Sequence, residues 1–135
     1  MIDHLSIGVS DLERAKRFYD AVLQTIGCAC IFTVDVPGRG VIAHGYGEIG
    51  SAHPRFWIGL PESCDKGCNA AGGTHVCFQA KRRADIDAFH AAALKAGGKD
   101  NGGPGLRPHY HENYYGAFAF DPDGNKIEAC SHHPE

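Results

Sequence analysis

The sequence contains an internal repeat with an offset of 71 residues, and this repeat limits the possible folds more than any other feature. The segment from Ile2 to Gly27 aligns with the segment from Gly73 to Gly98, so that apolar, glycine and histidine positions coincide. The aligned pairs are His4 with His75, Phe18 with Phe89, Leu23 with Leu94 and Gly27 with Gly98. Two copies of one strand-helix unit are therefore predicted, and each begins with a histidine.

The first copy is predicted to have the order β-α-β-β-β. A β-branched run over residues 2–9 predicts a strand, and Ser10 with Glu13 can close a capping box at the start of the following helix. Gly27 is placed to end this helix in the left-handed conformation. The buried face, with apolar residues spaced by three and four, comprises Leu12, Ala15, Phe18, Tyr19, Val22, Leu23 and Ile26. Strands are predicted next over residues 28–36, 41–46 and 55–60.

The second copy is predicted to repeat this order. A strand over 74–80 leads to a helix over about 84–96, which Gly97 and Gly98 end. Its inward residues are predicted to be Ile86, Phe89, Ala93 and Leu94. A glycine-rich loop over 99–108 precedes a hairpin with strands over 114–120 and 126–131. We therefore expect a single domain over residues 1–135, with module 1 over about 1–62 and module 2 over about 72–132.

Charge and hydropathy exclude several classes of partner. The net charge is −3, and the longest basic run is the three-residue segment Lys81–Arg83, so neither nucleic acid nor an anionic membrane is the expected partner. The chain contains neither an apolar stretch of transmembrane length nor a basic and apolar leader, so we expect a cytoplasmic protein. The predicted partner is a small-molecule substrate.

The six cysteines are expected to be reduced thiols in that compartment. Those in strand-like runs are predicted to be small buried residues, namely Cys28, Cys30, Cys77 and Cys130. Cys64 and Cys68 lie in a polar loop, where they could hold a metal or oxidise to a disulfide. Their spacing is not the two-residue gap of zinc sites, so two partly exposed thiols are the simpler prediction.

His4, His75 and Glu128 form a candidate metal site. The two histidines share the repeat offset, so a pseudo-twofold arrangement would make them face each other. Glu128 lies within an apolar strand, where a buried carboxylate would cost several kcal/mol unless a cation or proton compensates it. The position equivalent to Glu128 in the first copy is Trp57. Two imidazoles and one carboxylate are a common ligand set for a reactive divalent metal.

At these residues the chain resembles the vicinal oxygen chelate superfamily, which includes glyoxalase I, bleomycin-resistance proteins, fosfomycin thiol transferases and extradiol dioxygenases. The similar segments are residues 3–19, 73–78 and 120–128. The resemblance implies an α+β fold in which two βαβββ modules form paired, curved mixed sheets around a cleft. It also implies that His4, His75 and Glu128 bind iron, manganese, zinc, nickel or cobalt, and that this metal chelates two adjacent substrate oxygens. Such modules pair within one chain or across a dimer, and a homodimer is the favoured prediction.

Departures from each family pattern bear on the subclass. Glyoxalase I enzymes typically carry a fourth ligand where this chain has Trp57, which weakens a proton shuttle of their kind. Three protein ligands suit extradiol ring cleavage, which we favour slightly, although Phe118 replaces the tyrosine expected there. A glyoxalase I-like lyase or a thiol transferase is the first alternative. A non-catalytic binder similar to bleomycin-resistance proteins is the second.

The remaining candidate residues come mainly from the segment over 106–115. His109 and Tyr115 are predicted to act with Glu128 in catalysis, because histidine and tyrosine offer acid-base groups on a loop above a scaffold. The residues predicted to contact the substrate are Tyr46, Trp57, Arg107, His111 and Tyr114. His132 and His133 are predicted to be surface residues without a role.

Overall fold

The structure is a computed structural model that describes residues 1–60 and 74–135. The first sheet has the strand order β1-β4-β3-β2 and the second has the order β5-β9-β8-β6, with β7 paired to β8. The strands are β1 (Leu5–Gly8), β2 (Cys28–Val36), β3 (Gly40–Glu48), β4 (Phe56–Gly59), β5 (His75–Gln79), β6 (Lys99–Asp100), β7 (Gly105–Leu106), β8 (Tyr115–Phe120) and β9 (Lys126–Ser131). The helices are α1 (Leu12–Leu23), followed by a 3-10 turn (Gln24–Ile26), and α2 (Arg83–Lys95).

The strand registers of the two sheets follow the sequence repeat. Strands β1 and β4 are parallel, with Ser6 opposite Trp57, and strands β5 and β9 are parallel, with Cys77 opposite Glu128. Adding 71 to both positions of the first pair gives the second pair. The other pairings are antiparallel. The two modules therefore share one topology and one register, and the predicted α+β fold with two mixed sheets is confirmed.

Helix α1 has the predicted buried face but a different cap. The backbone N–H of Arg14 donates to the carboxylate of Asp11 at 2.9 Å, so Asp11 is the N-cap and the capping box predicted at Ser10 is wrong. The Ser10 hydroxyl instead donates to the carboxylate of Asp123, in the turn between β8 and β9. The predicted face is buried from Leu12 to Leu23, with Ile26 only half-buried. Gly27 has a φ of 79°, as its predicted role as a helix stop requires.

Helix α2 buries a histidine where the sequence predicted a leucine. Ile86, Phe89 and Ala93 are buried as predicted, whereas Leu94 is 41% exposed and its predicted burial is wrong. His90 takes the remaining place in the stripe, because it lies four residues after Ile86 and three before Ala93. Its Nε2 lies 2.8 Å from the Asp100 carboxylate, which satisfies the buried ring.

One hydrophobic core runs through both modules. Each helix packs on one face of its own sheet, and the two helices contact each other. The rings of Phe56 and Phe78 meet edge to face at 5.1 Å and join the two sheets on the helix side. The buried Tyr19 hydroxyl donates to Asp121 at 2.7 Å, which links α1 to the β8–β9 turn of the other module. This packing leaves the faces away from the helices to carry polar groups.

Several predicted features can be placed only in part. The glycine-rich segment 99–108 contains the short strands β6 and β7, which pair with β8, rather than loop alone. Cys64 and Cys68, with the predicted end of module 1 and start of module 2, lie outside the described residues. Neither helix of the described part is long and apolar enough to cross a membrane.

Candidate metal centre

Strands β5 and β9 place His75 and Glu128 side by side on the face of the second sheet that points away from α2. Side chains alternate along a strand, so Glu128 points away from the core in which Ile127 and Ala129 are buried. His75 lies on the same face, because Cys77, two residues further along β5, pairs with Glu128. The Nε2 of His75 is 3.0 Å from Oε2 of Glu128. A carboxylate and an imidazole of the predicted metal site are therefore in contact.

Both carboxylate oxygens of Glu128 are engaged although the residue is only 2% exposed. The Tyr114 hydroxyl donates to Oε1 at 2.5 Å, while His75 contacts Oε2. Burial and this hydrogen bond raise the pKa of Tyr114 far above its ordinary value, so the hydroxyl stays a donor. Gly116 gives the pair room, since a Cβ there would lie 3.1 Å from Tyr114 and 3.2 Å from the Glu128 carboxylate. The sheet thus holds Glu128 in one orientation.

His4 directly precedes β1 of the other sheet. Its Nδ1 is 2.7 Å from the Asp3 carboxylate, and this hydrogen bond lowers the pKa of Asp3. His4 lines a cavity of about 460 Å³ together with His53, Arg55 and Trp57. Over residues 1–60 and 74–135, the donor atoms that approach within 4.8 Å of one another in a group of three come from Cys77, Glu128 and Cys130. A single chain therefore brings His75 and Glu128 together without His4.

Two thiols adjoin Glu128 on the same face. Cys130 is buried as predicted, whereas Cys77 is exposed and its predicted burial is wrong, because Cys77 points away from the helix. Their sulfur atoms are 3.4 Å apart. The hydrogen bond with Cys77 lowers the pKa of the Cys130 thiol, and Tyr114 and His132 contribute to the same shift. Thiol groups thus form part of the surroundings of the candidate ligands.

His132 is exposed, as predicted, and its ring borders this cluster. Its Nε2 is 3.7 Å from the Cys130 sulfur, and its Nδ1 is 2.5 Å from Nε2 of His111. A period of two would have indicated it, because Glu128, Cys130 and His132 lie at alternate positions along one strand and just beyond its end. His111, predicted to contact substrate, also packs against Tyr114, at 5.5 Å between ring centroids.

Tyr115, which was predicted to be catalytic, lies on the opposite face of the sheet from Glu128. Tyr115 pairs with Ser131 and points towards α2, where its hydroxyl donates to Asp87 at 2.7 Å and its ring lies 5.3 Å from the guanidinium of Arg83. Tyr114 is the tyrosine that reaches Glu128. The two tyrosines point to opposite faces because a shift of one residue along a strand moves a side chain to the other face.

Three further residues that were predicted to contact the substrate or to act in catalysis lie in different surroundings. Tyr46 is 1% exposed on the helix side of the first sheet, and its hydroxyl donates to Asp20 at 2.9 Å, so its predicted substrate contact is corrected to a core role. His109 is exposed and packs on Tyr110 at 4.3 Å between ring centroids. Arg107 donates to the carbonyl of Gly103 at 2.7 Å.

Trp57 lies on the face of the first sheet away from α1. Its partner across the strands is Gly45, where a Cβ would come within 2.9 Å of the indole. The indole packs against Phe32 at 5.9 Å between ring centroids, and Phe32 is 54% exposed. This apolar surface adjoins the cavity that contains His4. The face that carries His4 therefore also presents exposed aromatic area.

The fold is that of a class of proteins built from paired βαβββ modules. The chain belongs to the Glyoxalase/Bleomycin resistance protein/Dioxygenase superfamily, whose family model matches residues 1–129. No match was found among curated proteins.

Solved structures agree with this assignment. A glyoxalase/bleomycin resistance protein from Albidiferax ferrireducens is 34% identical, with a TM-score of 0.77 over 96% of this chain and 97% of that one. A glyoxalase-related enzyme from Fulvimarina pelagi is 19% identical, with a TM-score of 0.69 over 97% and 87%. A variant of the fosfomycin resistance protein FosX from Listeria monocytogenes, complexed with Mn(II) and 1S,2S-dihydroxypropylphosphonic acid, is 15% identical, with a TM-score of 0.64 over 96% and 87%.

Proposed function

We propose that this protein is a divalent-metal-dependent enzyme that acts on a small molecule presenting two adjacent oxygens, with His4, His75 and Glu128 as the metal ligands. The observation that carries the proposal is the contact between Nε2 of His75 and the Glu128 carboxylate at 3.0 Å, on a face that the helices leave uncovered. A carboxylate this buried is costly without a compensating positive charge. An imidazole with a carboxylate suits iron, manganese, zinc, nickel or cobalt.

We assign the third ligand, His4, to a second copy of the chain. Within the described part of one chain, His4 does not belong to the group of donor atoms that lie close together around Glu128. The first sheet presents His4 beside the aromatic surface formed by Trp57 and the exposed ring of Phe32. A homodimer in which this face covers the second sheet of the partner would add the second imidazole and bury exposed apolar area.

The chemistry follows from the residues around this site. A bound divalent ion would polarise the substrate oxygens and stabilise negative charge that develops on them. Tyr114 holds Glu128 in place through its hydroxyl, and the linked imidazoles of His111 and His132 can accept and return a proton nearby. Trp57, where a second carboxylate would otherwise stand, offers an apolar wall for a ring.

Among the subclasses we favour extradiol dioxygenase-like cleavage of a catechol. Three protein ligands leave coordination positions for two substrate oxygens, and Trp57 supplies no second carboxylate for a glyoxalase-type proton shuttle. The Mn(II)-bound FosX variant, whose ligand is a vicinal diol, supports the use of adjacent oxygens in this fold. We place the protein in the cytoplasm as a working prediction.

The decisive first experiment measures metal binding to protein freed of metal by a chelator. Mn(II) binding, followed by electron paramagnetic resonance, is expected in the wild type and lost in H75A, E128Q and H4A. The matched controls are E112Q, which changes an exposed glutamate of the same module, and H53A, which removes the histidine next to His4 in its cavity. Unchanged Mn(II) binding in E128Q would overturn the proposal.

A substrate panel then separates the subclasses. Oxygen consumption with catechols and Fe(II)-loaded protein is the expected activity. Turnover of a hemithioacetal of glutathione would instead indicate the lyase, and opening of an epoxide by a thiol would indicate the transferase. Binding without turnover of any of these would favour the bleomycin-resistance-like alternative.

A further inference from the structure

The thiols of Cys77 and Cys130, with the groups around them, form a second cluster of metal donors. Both lie on the outer face of the second sheet, and their sulfur atoms are 3.4 Å apart. The donor atoms of Cys77, Glu128 and Cys130 all lie within 4.8 Å of one another. His132 adds a nitrogen 3.7 Å from the Cys130 sulfur. Two sulfurs and one carboxylate thus converge on one place, with an imidazole beside one of the sulfurs.

The separations match those of a tetrahedral thiolate site. Zinc binds sulfur at about 2.3 Å and imidazole nitrogen at about 2.0 Å, which in a tetrahedron puts two sulfurs roughly 3.8 Å apart and a sulfur and a nitrogen roughly 3.5 Å apart. The structure has 3.4 Å between the sulfurs of Cys77 and Cys130 and 3.7 Å from the Cys130 sulfur to Nε2 of His132. These two separations are therefore within a few tenths of an ångström of the tetrahedral values.

The surroundings hold these donors in place. Cys77 and Cys130 project from adjacent parallel strands, β5 and β9, so the ladder fixes both backbones. His111 contacts Nδ1 of His132 at 2.5 Å, which leaves Nε2 directed at the Cys130 sulfur. Such an outer partner commonly orients a metal-binding imidazole. Cys77 is exposed, which gives an ion a route of entry.

We propose that Cys77, Cys130 and Glu128 form a site for a thiophilic divalent ion such as zinc, and that a turn of the His132 imidazole, which lies beside the Cys130 sulfur, completes it. Soft thiolate ligands select ions of this kind over manganese or magnesium, which prefer oxygen donors. The proposal that a soft ion binds here depends only on this geometry and not on the proposed function.

A regulatory consequence rests on the proposed function. Glu128 would belong both to this thiol site and to the proposed site with His4 and His75. One carboxylate that is 2% exposed and held by Tyr114 cannot turn freely between two ions. Occupation of the thiol site is therefore expected to displace Mn(II) or Fe(II) from the other site and to inhibit the enzyme.

The test uses Co(II) as a spectroscopic probe of full-length protein kept reduced with a phosphine. Co(II) bound to thiolates gives a sulfur-to-metal charge-transfer absorption in the near ultraviolet, which a site of imidazoles and carboxylates lacks. We expect this absorption in the wild type and its loss in C77S/C130S. The single variant C77S, which changes only the exposed thiol, should retain about half of it, because one of two thiolates remains.

Controls separate this site from the other thiols and from the proposed function. C28S/C30S, in the first sheet, and C64S/C68S should keep the absorption. H75A should keep it while losing Mn(II) binding, so that either proposal can fail without the other. Retention of the absorption in both C77S and C77S/C130S, or its absence in the folded wild type, would overturn the thiol site.

A second measurement needs no variant. Zinc should protect Cys77 and Cys130 of the wild type from alkylation, as read residue by residue by mass spectrometry, and should leave Cys28 and Cys30 unchanged. Equal alkylation with and without zinc would contradict the proposal. Release of bound Mn(II) at a lower zinc concentration in the wild type than in C77S/C130S is the outcome expected for competition at Glu128.

Discussion

The imidazole of His75 and the carboxylate of Glu128 are in contact at 3.0 Å, although 53 positions separate them in the sequence. Strand β5 supplies one and strand β9 the other, in a parallel pairing that repeats the register of β1 with β4. The same register in the first module places Trp57 where the second has Glu128. The duplication thus produced two equivalent positions, one of which is polar and one apolar, and this asymmetry defines the proposed site.

Replacement of Tyr114 by phenylalanine tests whether its hydroxyl positions Glu128. The hydroxyl donates to Oε1 at 2.5 Å, so Y114F leaves the carboxylate free to rotate. Loss of such an outer partner typically weakens metal binding by about 10- to 100-fold. We expect a weakening in this range for Mn(II), measured by titration with electron paramagnetic resonance. Y115F is the matched control, because that hydroxyl bonds to Asp87 on the helix side, and an equal effect of both variants would refute a role for Tyr114.

Trp57 is the sole tryptophan, so its fluorescence reports on the first-module side of the proposed site. If His4 and Glu128 hold one ion, the indole lies near it, and paramagnetic Mn(II) should quench the emission. We expect quenching in the wild type and in H53A and its loss in H4A. Identical quenching in H4A and the wild type would place the ion away from His4.

A pH dependence of stability is expected from His44. Burial lowers the pKa of this histidine below its ordinary value near 6.5, with the charge of Lys16 acting in the same direction. Below about pH 6.5 the unfolded chain therefore takes up a proton that the folded chain resists, so the free energy of unfolding falls as the pH decreases from 7 to 5. H44Q should flatten this dependence in urea titrations.

The pH range from 7 to 5 separates the effect of His44 from the effects of the carboxyl groups. The pKa values of Asp3, Asp85 and Asp100 are lowered in the folded state, through hydrogen bonds with His4, Arg82 and Gly102 respectively, so their contribution is lost only below about pH 4. H53Q, at an exposed histidine, should leave the slope between pH 7 and 5 unchanged. A wild-type slope retained in H44Q would contradict the assignment.

The hydroxyl of Tyr19 joins the two modules through its bond to Asp121, which is 3% exposed. Y19F removes a donor from a buried carboxylate and should lower the free energy of unfolding by about 1.5–3 kcal/mol, as for hydrogen bonds to charged groups. Y46F is the comparison, because the side chain of its acceptor, Asp20, is 42% exposed and water can replace the lost donor. Its cost should stay below about 1 kcal/mol. If Y19F and Y46F lower the free energy of unfolding equally in chemical denaturation, the hydrogen bond to Asp121 contributes no more than the bond to Asp20.

The sequence alone predicted the structure correctly where one local rule acts without competition. The buried face of α1 and the left-handed Gly27 follow from spacing alone. At the start of α1 two residues compete for the cap, and Asp11 wins because Ser10 bonds to Asp123, 113 residues away. In α2 hydrophobicity favoured Leu94, while the helical period selected His90. A contact distant in the sequence decided the first case, and the choice between two local rules decided the second.

The sequence also predicted only part of the candidate site. The repeat identified His4 and His75, the apolar neighbours of Glu128 identified the carboxylate, and the structure brings His75 and Glu128 into contact. The sequence did not show that Tyr114, rather than Tyr115, reaches Glu128, because the start of β8, which sets the phase of the strand, could not be located to one residue. Cys77 and His132 were passed over because an isolated thiol or a histidine near the end of the chain carries little signal without its neighbours in space.

The most direct test of the proposed metal site is a mixing experiment with two inactive variants. H4A retains His75 and Glu128, whereas E128A retains His4, and neither alone should bind Mn(II). If the site forms across two copies, denaturing both variants together and refolding them in equal amounts should restore about one quarter of the wild-type sites, since half of the dimers are mixed and each holds one intact site. No recovery of Mn(II) binding in the refolded mixture, with full recovery of refolded wild type, would contradict a metal held by His4 of one copy and His75 and Glu128 of the other.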